Sequence, residues 1–531
     1  YLDRLSTQGM LQAYMNATLP LNRDYIADML TNLATKRDLL SVIDSKILDE
    51  YMADYRLERE EKPYFQLQNT ENTYHPFQSG QKFKRGFRDV FSYTANQEDH
   101  HLAVYEKEGN LVWLDVGGMA RYERQDAKTR LPYIYHYSLA AILADNFTVF
   151  SEADLFAMVY NSDFSEYPDE FRGGYPLYNN GFYGYETEMS FEYAHAYIQY
   201  SSNIGNIAMK AEPLKWGNGR NSLILSNNVP PYAMFSWDKQ LGKSRFSFFH
   251  GSILPAESDK TINGLITNEP KYLVGHRWEV AITNKLQGAF TEMLLYGDRH
   301  PEFAYLIPTT LLWSVQHNVN NGDNIIWFIE SEYYPFDGFK LYNTIMIDEL
   351  TTSKMFDDYM HNKWIIQGGA NFVYNINKWP SSINIELTAA RPWVYTNKSP
   401  ETGTYTHNAR VLGFYPRPNT KLITIENYWW INIRNRFKIA YERLKFGAEP
   451  IENKLDEYHF GNNSSKNYTL ANPDYHDKTG WLIGDIKTAH TISFLWEYQL
   501  SNILELVLHA SHKWGLSEYG NSYSIQMNID Y

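Results

Sequence analysis

The chain of 531 residues contains no cysteine, which excludes disulfide bonds, thiolate metal sites and cysteine nucleophiles. It also lacks any run of about eighteen apolar residues, so we expect no transmembrane helix. Basic residues are outnumbered, with 48 Lys and Arg against 62 Asp and Glu and a formal net charge of −14. Because no basic stripe or Arg-rich block is present, we expect no nucleic-acid partner.

Aromatic residues, by contrast, are abundant: 43 Tyr, 28 Phe and 14 Trp make up 16% of the chain. Tyr and Trp combine an apolar ring with a polar tip, and they collect at the two membrane–water interfaces of outer-membrane barrels. Large aromatic-rich soluble enzymes have a similar composition. The aromatic content therefore leaves both classes of protein open.

Beyond about residue 80, apolar and polar side chains alternate, as expected for strands with two different faces. The last segment, 521–531, places five apolar side chains on one face: Tyr523, Ile525, Met527, Ile529 and Tyr531. The segments "RFKIAYERLKFG" and "HTISFLWEYQL" repeat this pattern, with charged residues on the opposite face. A soluble sandwich also has two-faced strands, but large lipophilic side chains opposite charged ones favour a barrel with lipid outside and a polar lumen inside.

The spacing of the turn signals separates these two folds. Short turns are predicted at 145–146, 201–203, 240–243, 320–323, 378–382, 434–435 and 500–502, with long connections between them. The turn at 320–323 rests on the sequence "NNGD", a strong hairpin signal. Outer-membrane barrels alternate short periplasmic turns with longer external loops, so the pattern favours an all-β transmembrane barrel. The parse gives about twenty strands and places the first hairpin near 83–108.

The first sixty residues have a helical period instead. "PLNRDYIADMLTNL" and "DLLSVIDSKILDEYMADYRLERE" each place apolar residues three or four positions apart. Such short helices bury too little surface to be stable alone and should dock on a larger body. We predict an N-terminal α-helical bundle at 1–65, acting as a periplasmic cap or plug, and a barrel at 66–531. The alternative is a helical hairpin packed on a soluble domain.

Several stretches of the sequence resemble the Wzi-type capsule assembly family: "KWGNGRNSLILSNNVPPYAMFSW" from Lys215, "HRWEVAITNKLQGAFTEMLLYGDR" from His276, "NGDNIIWFIESEYYPFDGFKLYNTIMIDEL" and "ARPWVYTNKSPETGTYTHNARVLGFYPRPN". The chain differs from the usual family pattern at Asn218-Gly219-Arg220 and at Phe414. The resemblance implies about 18 antiparallel strands in the bacterial outer membrane with a periplasmic helical bundle. It also implies a surface lectin that binds capsular polysaccharide and attaches or organises it on the cell.

Sugar binding calls for aromatic faces beside hydrogen-bonding groups, and an acidic polymer calls for arginine. The loops supply seven candidate carbohydrate-binding residues: Tyr175, Trp216, Arg220, Asn227, Tyr405, His407 and Arg410. A structural role is the alternative for each. In particular, Trp216 and Asn227 could set the fold if their loop enters the lumen and pairs its polar groups there.

The sequence offers little for catalysis. It contains no Gly-x-Ser-x-Gly elbow, His-Glu-x-x-His helix, phosphate-cradling loop or EF-hand spacing, so we predict no enzyme activity, no cofactor and no metal. The expected partners are capsular or other surface polysaccharide and outer-membrane lipid. One competing hypothesis is a porin or uptake channel gated by the N-terminal helices. Another is a structural subunit that partners other outer-membrane proteins.

Overall fold

The computed structural model describes residues 1–55, 73–74, 103–107, 110–144, 146–160, 188–255, 260–262, 265–267, 270–319, 322–355, 362–397, 400–408, 410–416, 418–448, 480–501, 503–516 and 520–530. Within these ranges, 18 antiparallel strands form a closed barrel. They are β1 (Asn110–Gln125), β2 (Lys128–Leu143), β3 (Phe147–Tyr160), β4 (Glu188–Ser202), β5 (Gly205–Glu212), β6 (Tyr232–Leu241), β7 (Ser244–Ile253), β8 (Lys271–Ala281), β9 (Leu286–Gly297), β10 (Asn324–Phe336), β11 (Phe339–Glu349), β12 (Lys363–Ile376), β13 (Trp379–Ala390), β14 (Thr420–Asn432), β15 (Asn435–Ala448), β16 (Asp485–Gln499), β17 (Leu504–Trp514) and β18 (Gly520–Asp530).

Each strand pairs with its sequence neighbours, and β18 closes the barrel on β1, from Ser522 against Gln125 to Asp530 against Gly117. The all-β transmembrane barrel predicted from sequence is confirmed. The count of about twenty is too high, because Ala103–Lys107 pairs with the start of β1 as a short extra strand and lies outside the ring of 18. Most of the hairpin placed near 83–108 lies outside the described residues.

The two faces of the wall differ as the sequence pattern predicts. On β18, Tyr523, Ile525, Met527 and Ile529 are exposed on the outer face. Aromatic rings also gather outside the wall near the short turns, where Phe437 stacks on Trp496 with ring centroids 6.1 Å apart. An apolar outer band with aromatic rings at its border is the surface of an outer-membrane barrel.

The connections between strands differ in length at the two ends. Turns such as 337–338 and 433–434 mark the short-turn end, which is periplasmic in outer-membrane barrels, and connections such as 213–231 and 391–419 mark the long-loop end. The predicted turn at 320–323 is wrong: residues 322–323 lie at the long-loop end, where the connection from β9 enters β10. The short turns flanking this region are 282–285 and 337–338 instead.

The N-terminal region forms three helices: α1 (Leu2–Thr7), α2 (Arg23–Ala34) and α3 (Val42–Asp54), with a 3-10 turn at Arg37–Leu39. A hydrophobic cluster joins them and includes Leu5, Leu30, Leu33 and Leu48. A buried ion pair joins Arg4 to Asp44. The predicted boundary at 65/66 lies outside the described residues.

The helices lie at the short-turn end, where the Gly338 N–H donates to the Thr7 carbonyl at 2.7 Å. The long connections contain further short elements: 3-10 turns at Phe303–Leu306 and Thr352–Lys354, α4 (Leu312–Asn318), α5 (Pro400–Gly403) and paired short strands Lys260–Ile262 with Leu265–Thr267 and Thr406–His407 with Arg410–Val411. None of the helices that the structure describes is long and apolar enough to cross a membrane.

Candidate functional site in the barrel lumen

A small antiparallel sheet lies inside the barrel. Lys215–Trp216 is its central strand and pairs with Thr18–Leu19 on one side and Leu225–Ser226 on the other. The first partner belongs to the N-terminal region at the short-turn end, whereas the other two strands belong to the 213–231 connection from the long-loop end. Gly217 extends the pairing, since its N–H donates to the Ala17 carbonyl at 2.7 Å. Segments from opposite ends of the barrel therefore meet in the lumen.

The 213–231 connection is held in the lumen by two buried tyrosines of the 391–419 connection. The hydroxyl of Tyr395 donates to the Leu223 carbonyl and that of Tyr405 to the Ile224 carbonyl, both at 2.8 Å. The two rings stack with centroids 5.2 Å apart. Burial raises the pKa of the Tyr405 hydroxyl well above its usual range, so it stays a hydrogen-bond donor.

Arg277 of β8 connects the wall, the N-terminal region and the 213–231 connection. Its side chain is 1% exposed, donates to Thr18 Oγ1 at 2.8 Å and forms buried ion pairs with Glu279 and Glu330. Glu330 also accepts from the Asn218 N–H at 3.0 Å. A buried guanidinium needs such carboxylate partners to offset its desolvation.

A second polar junction lies at the tip of the 213–231 connection. Glu386 of β13 accepts from the N–H groups of Arg220 and Asn221 at 2.7 and 3.3 Å. The Arg220 guanidinium pairs with Glu426 at 3.3 Å and with Glu442 at 2.9 Å. Gly219 lets the backbone approach this closely, because a Cβ at this position would lie 2.0 Å from Gln367 Oε1.

The N-terminal region is also tied to the wall by charge. Lys340 of β11 pairs with Asp3 at 2.6 Å. Burial alone would raise the pKa of Asp3, but the Lys340 ammonium holds this pKa below its usual value. Beside Arg277, a cavity of about 20 Å³ lies between Ala17, Asn218 and Gln287. Room for about one water remains there.

We call the lumen sheet together with the 213–231 and 391–419 connections the plug. The structure places most of the sequence-predicted site residues inside it. Trp216, Tyr405 and His407 are buried. Trp216 packs edge-on against Phe249 at 5.2 Å, and His407 Nδ1 accepts from the Leu254 N–H at 2.9 Å. Burial and the nearby Lys271 lower the pKa of His407 to about 3, so its ring is neutral. The structure gives these three residues packing roles, and their part in sugar binding stays a prediction.

The remaining candidates are spread over the plug. Arg220 lies in the lumen network, whereas Asn227 and Arg410 are half-buried near its outer face. Asn227 has a left-handed backbone with φ of 51°, and its backbone N–H donates to the Leu214 carbonyl at 3.1 Å. A part of Asn227 in sugar binding stays a prediction. Tyr175 lies outside the described residues.

Sequence reasoning missed Arg277, Glu386 and Tyr395. All three are polar positions in segments that the sequence had already marked as strand or loop. The alternation on β8 could have placed Arg277 in the lumen, since Trp278 beside it points outward. Its partner Thr18 lies 259 positions away along the sequence, and no local pattern predicts that contact.

Among the described residues, one group of three side chains could hold a metal ion: His136, Glu152 and Asp154, whose ligand atoms lie within 4.8 Å of one another. They line the lumen side of β2 and β3, and His136 Nδ1 lies 3.0 Å from Asp154 Oδ1. A hydrogen bond within the wall accounts for this contact equally well.

No family model matches the sequence, and no curated protein matches it. Among solved structures, Wzi, an outer-membrane protein involved in group 1 capsule assembly in Escherichia coli and a carbohydrate-binding β-barrel, aligns with a TM-score of 0.58 and 12% identity over 100% of this chain and 97% of its own. OprD and OccK3 (OpdO) of Pseudomonas aeruginosa align with TM-scores of 0.43 and 0.42 at 8% and 9% identity, over 79% and 85% of this chain and 95% and 98% of their own. The chain thus has a Wzi-like barrel fold.

Proposed function

We propose that this protein binds a capsular or other surface polysaccharide at its long-loop end and helps to hold it on the cell. The N-terminal helical region, residues 1–65, acts in this proposal as the periplasmic cap of the plug. The observation that carries the proposal is the lumen sheet, in which the 213–231 connection joins the N-terminal region. A lumen filled and cross-linked in this way favours a rigid external surface over a wide pore.

The outer face of the plug has the chemistry that a charged glycan requires. The Ser226 N–H donates to the Leu412 carbonyl at 2.7 Å, which brings Asn227 next to the 406–416 segment. That segment contributes the half-buried Arg410 and the exposed ring of Tyr415. An amide pairs with sugar hydroxyls, a guanidinium with carboxylates, and an aromatic face with the C–H face of a sugar ring.

The fold similarity to Wzi supports this proposal. Wzi is a carbohydrate-binding β-barrel with this fold, and the two chains align over nearly their whole lengths. At 12% identity the comparison carries no residue assignments. The binding residues proposed here therefore rest on the geometry of this chain alone.

The first experiment deletes the gene in a capsulated source strain and measures cell-bound and shed polysaccharide separately. We expect total polymer to stay constant while polymer moves from the cells to the medium. Complementation with Arg410→Gln/Tyr415→Ala should restore less cell-bound polymer than the wild-type gene does. Arg37→Gln removes an exposed arginine of the N-terminal region and serves as the matched control. An unchanged cell-bound fraction in the deletion strain would refute the proposal.

One observation favours a channel as the second candidate. On the lumen side of β15 to β17, Arg436 forms ion pairs with Glu497 and Glu505, each at 3.0 Å, and its side chain remains 45% exposed. Charged side chains that stay in contact with solvent are typical of an aqueous lumen. Planar-bilayer recording of the purified full chain separates the two functions: resolved conductance steps support the channel, and their absence together with polymer shedding supports the anchor.

A further inference from the structure

The connection between β9 and β10 lies against the outside of the barrel. Arg277 points into the lumen, so its neighbours on β8 at even positions point outward. One of them, Val274, is nevertheless fully buried, as are the outward-facing Leu294 and Tyr296 of β9. Together with Phe248, these wall residues pack against Tyr305, Leu312 and Val315 of the connection. The cluster is one apolar core outside the wall. We call residues 298–319 the outer strap.

A buried carboxylate holds the outer strap in place. Glu292 points outward from β9 and is 0% exposed. It accepts from the N–H groups of Leu312 and Trp313 at 2.8 and 2.9 Å and from the Trp327 indole at 3.0 Å. His276, its register partner on β8, lies 3.0 Å away. A charged group on the lipid face of a barrel is costly, so this set of partners accounts for its presence there.

The position of Glu292 along β9 places the strap at membrane depth. β9 has 12 residues, which span roughly 31 Å along the barrel axis at the usual rise and tilt. Glu292 is five residues from the end of β9, so it lies roughly 13 Å below that end. The apolar band of an outer-membrane barrel is about 25 Å tall. The first turn of α4 therefore lies beside the outer leaflet.

The strap presents apolar side chains away from the barrel. Phe303 is 83% exposed, Ile307 53%, Leu311 58% and Trp313 49%. They continue the exposed apolar wall towards the short-turn end, where the register partners Phe290 and Ile329 also face outward. This continuity with the lipid-facing band indicates that lipid covers them.

We propose that the outer strap is embedded in the outer leaflet and that Phe303, Ile307, Leu311 and Trp313 contact lipid acyl chains there. The strap thickens the protein outside strands β7–β10 and adds a lipid-contacting surface there. This inference is independent of polysaccharide binding.

The absence of cysteine makes the test direct, because one introduced cysteine gives a single labelling position. Leu311→Cys carries a nitroxide spin label in phosphatidylcholine vesicles, and its collisions with oxygen and with a water-soluble nickel chelate are measured. Leu387→Cys, on the bare outer wall, is the lipid control, and Leu39→Cys, exposed in the N-terminal region, is the water control. Ile307→Cys provides a second strap position in case the first variant does not fold.

We expect Leu311→Cys to match Leu387→Cys, with high oxygen access and low nickel access. Nickel access like that of Leu39→Cys would overturn the inference, because the strap would then lie in water. Low access to both reagents would also overturn it and assign the surface to contact with a second copy of the chain.

A second variant tests how the strap is held. Adding Glu292→Leu to the labelled chain removes the acceptor for the Leu312 and Trp313 N–H groups. We expect nickel access at position 311 to rise several-fold as the strap leaves the wall. Glu302→Gln also replaces a carboxylate, within the strap, and is the matched control. It should leave nickel access at position 311 unchanged. Equal nickel access in both variants would contradict the role assigned to Glu292.

Discussion

Replacement of Arg277 by methionine tests whether the lumen network stabilises the whole protein. Methionine keeps much of the apolar stem but has no donors. The change leaves Glu279 and Glu330 as buried carboxylates without their guanidinium. Removing one partner of a buried ion pair costs about 3–5 kcal/mol, since the remaining charge stays desolvated. We expect the free energy of unfolding to fall by about this amount.

The assay is equilibrium unfolding of the purified protein in detergent, followed by tryptophan fluorescence over a guanidinium chloride series. Arg37→Met, which breaks the exposed pair with Asp49, is the control and should cost less than about 1 kcal/mol. The double variant Arg277→Met/Glu330→Gln should recover part of the loss, because the glutamine carries no charge into the vacated site. A loss at Arg277→Met no larger than that of the control would refute the reasoning.

Three further changes test other parts of the plug. His407→Asn keeps an acceptor for the Leu254 N–H but removes the titration. The unfolded chain binds a proton near pH 6.5 and the folded chain only near 3, so wild-type stability is full above pH 6.5 and falls by about 1.4 kcal/mol per unit down to about 3. Thermal unfolding between pH 7 and pH 4 should therefore be flatter in the variant, and parallel curves would contradict the assignment. Tyr405→Phe removes the bond to the Ile224 carbonyl and should cost about 1–3 kcal/mol in chemical unfolding, whereas a cost near zero would mean that this carbonyl has another partner. Gly219→Ala forces its Cβ against Gln367 and should cost about 1–3 kcal/mol, with Gly288→Ala, where the nearest atom is 3.5 Å away, as the near-neutral control; equal losses in the two would argue against close contact at Gly219.

The barrel itself could be predicted because the sequence of each strand shows one apolar face for lipid and one polar face for the lumen. Tyr523, Ile525 and Met527 alternate with polar residues, and this pattern is independent of tertiary contacts. It therefore suffices to identify a two-faced strand. Elsewhere, tertiary contacts determine the structure against the local sequence signal. The "NNGD" stretch predicts a hairpin, but Asp323 instead accepts hydrogen bonds from Arg299 and Tyr305 in the connection that enters β10.

The candidate site was harder to predict than the fold. An aromatic residue in a loop has the same sequence signal whether it faces solvent or folds into the lumen. That signal predicts Tyr405 and Trp216 as sugar-stacking residues, yet both are buried. Trp216 is held by its pairing with Thr18, and Tyr405 by its hydrogen bond to the Ile224 carbonyl. Both contacts join residues that are distant in the sequence.

The lumen sheet also determines how force is transmitted through the protein. Because Lys215–Trp216 hydrogen-bonds to both Thr18–Leu19 and Leu225–Ser226, the N-terminal helices and the long-loop face of the plug are connected in series through one central strand. A load applied to the outer face is carried inward through this strand to the N-terminal region as well as sideways into the wall. Either end of the plug separates from the central strand only when its own hydrogen bonds to that strand break, so the N-terminal region and the long-loop face bear the load together.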